Sequence, residues 1–160
     1  DITRMSEKKL TLIRRKKIGF IFQSFNLLPT LNARENIELP SSLSGRKTEK
    51  KWFDQVIEIL GIKDRLLHKP SELSGGQQQR VAVARALAAQ PEVIFADEPT
   101  GNLDTATSHD VIGLLKMLSR QYQQTLIVIT HDTDIAQMAD RIVQIEDGKI
   151  SKGSGFHVSE

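Results

Sequence analysis

Three short apolar runs in the sequence are each followed by residues that can do chemistry. Asp97 and Glu98 follow one run, Gln23 follows another, and His131 follows a third. Runs of four or five residues that are rich in β-formers predict buried strands. Because ligands of open parallel sheets bind beyond the carboxyl ends of the strands, we expect these four side chains to share one crevice.

The two adjacent carboxylates are suited to phosphoryl transfer. In such sites one carboxylate helps to hold Mg²⁺, and a second orients or deprotonates the attacking water. Asp97 and Glu98 follow four apolar residues and precede Pro99, so an acidic pair that caps a turn is an equally good interpretation. A single histidine such as His131 is also more often structural than functional. Its place at a strand end favours a contact with phosphate or catalytic water.

The segment Ser74-Gly75-Gly76-Gln77 predicts the start of a helix that can bind an anion. Ser74 and Gln77 have the spacing of a capping box, in which each side chain pairs with the other residue's backbone amide. The two glycines leave the first amides of the helix uncovered, and these amides with the helix dipole attract phosphate. The alternative is a plain helix cap. Glycines in a helix cost about 1 kcal/mol each, so we expect a reason for them.

Composition limits the classes of function. The chain has 160 residues, of which 39% are hydrophobic and 26% charged, as in an ordinary globular domain. Its net charge of +2 is too small to favour nucleic acid as a partner. It has no cysteine and no apolar run long enough to span a bilayer, so we expect a soluble chain that acts on a membrane only through a partner.

The order of elements predicts an α/β fold with a mainly parallel sheet. Apolar strands alternate with amphipathic helices, which is typical of a sheet covered by helices on both faces. The predicted strands are 18–22, 93–96 and 126–129, with a fourth around Ile142, Val143 and Ile145 before an Asp147-Gly148 hairpin. Residues 28–89 contain no such strand. We therefore expect a helical lobe, 28–89, inserted into an α/β lobe formed by 1–27 and 90–160.

Five segments together resemble the ATP-binding subunit of ABC transporters. In chain order, they resemble the Q-loop, the signature motif, Walker B with its glutamate, the D-loop and the switch histidine: Gln23, Leu73–Gln77, Val93–Glu98, Gly101–Asp104 and His131. This resemblance covers nearly the whole chain. The sequences of three segments resemble one branch of the family, which drives macrolide and antimicrobial-peptide efflux and lipoprotein release in bacteria. These segments are Phe22–Pro29, Glu35–Ile37 and Thr100–Asp104.

The resemblance implies ATP and Mg²⁺ as cofactors and assigns catalytic roles. Asp97 would hold Mg²⁺ through water, and Glu98 would be the general base. Gln23 would contact Mg²⁺ and the attacking water, and His131 would contact the γ-phosphate.

The resemblance also implies two protein partners. Ser74, Gly75 and Gly76, with Gln77 in the same motif, would bind ATP held by a second nucleotide-binding subunit in a head-to-tail dimer. Asp104 would link the two sites. The region near residues 25–37 would dock on a transmembrane permease, which places the chain in the cytoplasm at the inner face of the membrane. No nucleic-acid partner is implied.

The sequence departs from the family in one respect. It contains no G-x-x-x-x-G-K-[ST] phosphate-binding loop and begins at Asp1. We interpret it as a fragment of an ATPase, with an incomplete sheet that lacks the strand and helix of that loop, and we expect the chain alone to be inactive. The alternatives are a truncated, non-hydrolysing module that pairs with intact subunits, and an ABC ATPase of DNA repair or translation. ABC ATPases of DNA repair or translation usually carry long coiled coils or two tandem cassettes, and this sequence shows neither.

Overall fold

A computed structural model describes residues 2–45 and 47–151 of the chain. The chain divides into two compact units, Asp1–Ile129 and Thr130–Glu160. The first unit contains α1 (Glu7–Lys17), β1 (Ile18–Phe22), α2 (Ala33–Leu43), α3 (Lys50–Ile59), α4 (Gly75–Leu87), β2 (Val93–Asp97), α5 (Thr105–Gln121) and β3 (Thr125–Ile129). The second contains α6 (Thr133–Gln137), β4 (Ile145–Glu146) and β5 (Lys149–Ile150). Two short 3₁₀ turns, Lys63–Arg65 and Pro70–Glu72, lie before α4.

The central sheet is parallel, with strand order β1-β2-β3. The predicted α/β class and parallel sheet are therefore confirmed, and the three predicted strands agree with the observed ones to within one residue at each end. The strands pair in register, so that Phe22, Asp97 and Ile129 lie side by side at their carboxyl ends. This register brings the residues that follow β1 and β2 to the same edge of the sheet.

The two faces of the sheet differ in exposure because side chains alternate along each strand. One face carries Ile21, Ile94 and Ala96, all fully buried, and helices α4 and α5 contact the sheet. On the other face Phe20 stacks on Phe95 with ring centroids 5.7 Å apart. The apolar side chains at the ends of this second face, Phe22 and Ile129, are 38% and 54% exposed. The prediction that helices cover both faces is thus not met within the first unit.

Helix α4 is the most buried helix of the first unit, and it contacts α2, α3, α5 and β1. Its residues Val81, Ala82, Val83, Ala84 and Leu87 are at most 1% exposed. Small residues let it approach its neighbours closely. A Cβ added at Gly19 in β1 would lie 2.7 Å from the Ala86 carbonyl oxygen, which is closer than two such atoms can pack.

Residues 28–45 and 47–89 contain helices and turns but no strand, as the sequence predicts. Helix α3 ends just before Gly61, which has φ +63°, a conformation that favours glycine at helix ends. Pro40 lies inside helix α2, although proline usually interrupts helices. A capping box of Asn32 and Glu35 starts α2, with Glu35 N donating to Asn32 Oδ1 at 2.9 Å.

The predicted fourth strand is wrong in its extent. Only Ile145 of the three predicted residues lies in a strand, and it pairs antiparallel with Ile150 in a separate two-stranded sheet. The predicted Asp147-Gly148 hairpin is confirmed, with φ of +49° and +73° at these residues. Two positive φ values give the turn the twist that suits a tight hairpin, so local pairing takes up Ile145. The prediction of a helical lobe at 28–89 within an α/β lobe stays a prediction.

Two glycine substitutions should have opposite effects on stability, because only one of these glycines is closely packed. Gly19→Ala should lower the free energy of unfolding by about 1–3 kcal/mol, because its Cβ meets a backbone oxygen that cannot rotate away. Gly113→Ala is the matched control, since Gly113 lies within α5 and an added Cβ has no neighbour within 4 Å. It should raise the free energy of unfolding by about 0.5–1 kcal/mol. Urea unfolding measures both, and a neutral Gly19→Ala would contradict the packing described here.

Candidate active site

The two carboxylates stand at the end of β2, at the carboxyl edge of the sheet. Asp97 is the last residue of the strand and is exposed, while Glu98 is half-buried. Glu98 has φ +44°, in the left-handed region that non-glycine residues seldom adopt. Its amide donates to Ile129 O at 2.9 Å, and its carbonyl accepts from Gly101 N at 3.1 Å. The chain therefore makes a sharp, hydrogen-bonded turn at the predicted catalytic residue.

Gln23 follows β1 and lies next to the turn that follows β2. A Cβ added at Gly101 would lie 2.5 Å from Gln23 Nε2, so this side chain rests against the backbone of Gly101. Asn102 Nδ2 donates to the backbone carbonyl of Gln23 at 2.8 Å. The structure thus brings Gln23 to Gly101 and Asn102, three and four residues after Glu98 in the chain.

The predicted capping box at the start of α4 is present. Gln77 N donates to Ser74 Oγ at 3.3 Å, and Ser74 N donates to Gln77 Oε1 at 3.0 Å. The first amides of an α-helix lack intrahelical acceptors, and here the box uses the amide of Gln77. The amides of Gly75 and Gly76 are the donors that remain for an anion. Gly76 also permits close packing, because its added Cβ would lie 2.8 Å from Thr107 Cγ2 of α5.

Asp104 caps the other helix that starts at this edge. Its Oδ1 accepts from Thr107 N at 3.0 Å, and its Oδ2 accepts from the Thr107 hydroxyl at 2.6 Å. The hydroxyl bond is the main cause that lowers the pKa of Asp104 below its ordinary value of 3.8, and the amide bond adds to it. The carboxylate therefore stays ionised at neutral pH while it caps α5.

The starts of α4 and α5 line one cavity of about 480 Å³. Apart from Leu103, its walls are polar or small residues: Gly61, Ser74, Gly75, Gly76, Gln77, Arg80, Asn102, Asp104 and Thr107. The guanidinium of Arg80 adds a positive charge to the exposed amides, and its Nη1 donates to Leu60 O at 3.1 Å. A helix N-terminus with a neighbouring cation favours a phosphate group. The predicted binding residues Ser74, Gly75, Gly76, Gln77 and Asp104 are therefore together in space.

One further residue of α4 links this helix to the turn in which Glu98 stands. Gln79 of α4 is fully buried, and its Nε2 donates to the carbonyl of Pro99 at 2.5 Å. Pro99 directly follows Glu98, so α4 holds the turn in which Glu98 stands. Local pattern gives no signal for this role, because Gln79 sits in a run of three glutamines.

His131 lies in the second compact unit, which the structure describes by itself. It is exposed and precedes Asp132, whose Oδ1 accepts from Asp134 N and Ile135 N at 2.9 and 3.2 Å. Asp132 therefore caps α6. The prediction that His131 joins Gln23, Asp97 and Glu98 in one crevice stays a prediction.

Among the residues that the structure describes, no group of three or more histidine, aspartate or glutamate side chains could hold a metal ion. Mg²⁺ in nucleotide sites needs no such group, since it binds through one or two carboxylates together with substrate phosphates and water. Asp97, with the amide of Gln23 on the neighbouring strand, fits that donor set.

The sequence of residues 2–101 matches the family model described as ABC transporter. The chain belongs to the ABC transporter family. It is 47% identical over 152 residues to the lipoprotein-releasing system ATP-binding protein LolD of Syntrophus aciditrophicus, covering 94% of this chain and 68% of LolD. It is 46% identical over 157 residues to the macrolide export ATP-binding/permease protein MacB of Marinobacter nauticus, covering 97% of this chain and 24% of MacB.

A solved structure extends the likeness to the fold. The ATP-binding cassette MJ0796 of Methanocaldococcus jannaschii, a dimer in a post-hydrolysis state bound to ADP and Pi, superposes with a TM-score of 0.79 at 42% identity. The match covers 96% of this chain and 70% of that one. The chain is thus an ABC transporter nucleotide-binding domain, and it spans 64% to 70% of the length of several relatives that it matches. None of the described helices is long and apolar enough to cross a membrane.

The lowered pKa of Asp104 predicts a pH dependence of stability. A carboxyl whose pKa is lower in the folded chain contributes stability above its unfolded value of 3.8 and loses it as pH falls towards the folded value. Asp104→Asn keeps a capping oxygen but does not titrate. From about pH 6 to about pH 3, urea unfolding should show wild type losing more stability than Asp104→Asn. Parallel pH profiles of the two proteins would contradict the assigned cause.

Proposed function

We propose that the protein carrying this chain is the ATP-hydrolysing subunit of an ABC transporter, which powers export or envelope transport through a membrane permease. The observation that carries this proposal is the cavity where α4 and α5 both begin, beside the strand end that bears Asp97 and Glu98. One chain thus presents a phosphate-binding surface and a pair of carboxylates. The export and lipoprotein-release roles named for MacB and LolD support the branch.

The phosphate-binding surface would act on ATP held by a second subunit. The amides of Gly75 and Gly76 and the Ser74 hydroxyl would donate to the γ-phosphate, because Ser74 Oγ accepts from Gln77 N and keeps its own proton for a donor role. This arrangement requires a head-to-tail dimer, in which each cavity meets the partner's nucleotide. Asp104, fixed by Thr107, would link the two sites across that interface. The dimeric ADP-bound state of the MJ0796 cassette supports this arrangement.

The carboxylates would catalyse hydrolysis at the nucleotide bound by the same subunit. Glu98 would accept a proton from the attacking water, and the amide of Gln23 would orient that water. Asp97, with Gln23, would hold Mg²⁺, and His131 would contact the γ-phosphate. Mg²⁺, when bound, supplies positive charge that neutralises the phosphate oxygens. The tight turn at Glu98 and the contact of Gln23 with Gly101 would fix the base and the amide before ATP arrives.

The segment near residues 25–37, which comprises a loop and the start of α2, would dock on the permease. The protein would reach the membrane only through that contact, on the cytoplasmic side of the membrane. Buried Asn36 gives this region a defined shape. Its Oδ1 accepts from Leu28 N at 2.7 Å, and its Nδ2 lies within 3.1 Å of the carbonyls of Leu28, Leu31 and Asn32. A loop fixed by its own chain can present a rigid surface to a partner.

A second candidate is that the 160-residue chain pairs with other subunits without hydrolysing ATP by itself. The observation that favours it is the lack of a G-x-x-x-x-G-K-[ST] motif in these residues. Without the amides and lysine of such a loop, the purified 160-residue chain should bind ATP·Mg weakly or not at all. Titration calorimetry decides this point. Micromolar binding of ATP by the monomeric chain would contradict it.

Glu98→Gln tests the hydrolytic role in the full-length subunit with its permease. The amide keeps the shape of the side chain but cannot accept a proton, so ATP turnover should fall by about 10²–10⁴-fold while ATP binding is retained. Asp110→Asn, which neutralises an exposed carboxylate on α5, is the control and should leave turnover unchanged. Steady-state phosphate release measures both variants. Turnover of Glu98→Gln near that of wild type would show that Glu98 is not the base.

A further inference from the structure

A long-range contact ties the segment after Gln23 to helix α4. Arg85 lies in the last turn of α4, and its Nη1 donates to Asn26 O at 2.5 Å. Its Nη2 donates to Phe25 O at 2.7 Å. The two terminal nitrogens of one guanidinium thus donate to two successive carbonyls that lie 59 and 60 residues earlier in the chain.

The segment that Arg85 grips is conformationally strained. Phe25 and Asn26 have φ of +57° and +49°, in the left-handed region, which asparagine enters readily but an aromatic residue such as Phe25 rarely does. The conformation of Phe25 costs on the order of 1 kcal/mol, and it persists only where surrounding contacts hold it. The amides of this turn bond only to nearby carbonyls, Phe25 N to Phe22 O and Asn26 N to Ser24 O. An external contact is therefore needed to keep the turn in this shape.

The partial burial of Arg85 favours its hydrogen bonds to these carbonyls. Burial lowers the pKa of Arg85, and within residues 2–45 and 47–151 no carboxylate pairs with it. Arg85 is half-buried, and a partly desolvated cation without a counter-ion is costly unless oxygen dipoles satisfy it. The carbonyls of Phe25 and Asn26 are those dipoles. A planar fork suits two adjacent oxygens better than the point charge of a lysine.

A second contact holds the same segment from its other end. Asn102 Nδ2 donates to Gln23 O at 2.8 Å, and the Gln23 side chain rests on Gly101. The three residues from Gln23 to Phe25 therefore run between two anchors, one after β2 and one on α4. Arg85 therefore joins α4 directly to the turn next to Gln23.

We propose that Arg85 is a positioning residue that sets the place of the Gln23 amide by holding the Phe25–Asn26 turn against α4. The helix that begins with the phosphate-binding surface thus controls the residue that orients the attacking water. The proposal rests on the function proposed above for Gln23, but the contact itself can be tested without ATP.

Amide hydrogen exchange of the 160-residue chain tests the contact. In Arg85→Met the amides of Phe25 and Asn26 should exchange at least about tenfold faster relative to those of Val81–Ala84. The substitution removes the two charge-assisted hydrogen bonds that hold the carbonyls of this turn, so the turn opens more often. Arg85→Lys should give a smaller acceleration, and it provides the test if Arg85→Met does not fold. Trp52→Phe is the matched control, since it removes one hydrogen bond to α4, from Nε1 to Leu87 O, far along the chain from the turn. It should leave the ratio of exchange rates unchanged.

A double-mutant cycle in the full-length protein with its permease tests the action through Gln23. Arg85→Lys should lower kcat about tenfold and change the KM for ATP less than twofold. In a Gln23→Ala background the same substitution should lower kcat less than twofold, because the amide that it positions is gone. Equal effects of Arg85→Lys in both backgrounds, or unchanged exchange at Phe25 and Asn26, would overturn the proposal. If wild type hydrolyses no ATP, the function proposed for the protein fails, and the exchange ratios alone decide on Arg85.

Discussion

The contact between α4 and β1 is the constraint on which the other contacts depend. Gly19 in β1 faces the Ala86 carbonyl so closely that a single methyl group does not fit between them. This approach packs α4 against β1, with Val81 and Leu87 fully buried. The position of the helix then decides where its N-terminal amides point and which side chains reach the carboxyl edge.

Two strained turns at that edge are held by side chains of the same helix. Gln79 supports the turn of Glu98 through the carbonyl of Pro99, and Arg85 holds the turn of Phe25 and Asn26. In both turns a non-glycine residue has a positive φ. Such conformations are kept where surrounding structure over-determines them, which is common at functional sites. Helix α4 therefore connects the phosphate-binding cavity with the turns that bear the carboxylate and follow the amide.

Local sequence patterns predicted the features that depend on neighbouring residues. The strands, the capping box of Ser74 and Gln77, and the Asp147-Gly148 hairpin each involve residues at most a few positions apart. The Asn32–Glu35 box is an equally local signal, and Pro40 lies inside the helix that it starts, although proline usually interrupts helices. Apolar character alone misplaced Ile142 and Val143, since pairing with Lys149–Ile150 starts only at Ile145. The roles of Gln79 and Arg85 could not be predicted, because their partners lie 20 to 60 residues away and no pattern marks them.

The central claim is that the cavity at the start of α4 receives the γ-phosphate of ATP held by another subunit. A crystal structure of the full-length Glu98→Gln protein with ATP·Mg tests it most directly, because that variant should retain its nucleotide. The account predicts a dimer in which Ser74 Oγ and the amides of Gly75 and Gly76 lie about 3 Å from γ-phosphate oxygens of the partner's ATP. A dimer in which this cavity faces solvent, or in which the γ-phosphate contacts no residue of the α4 N-terminus, would contradict it.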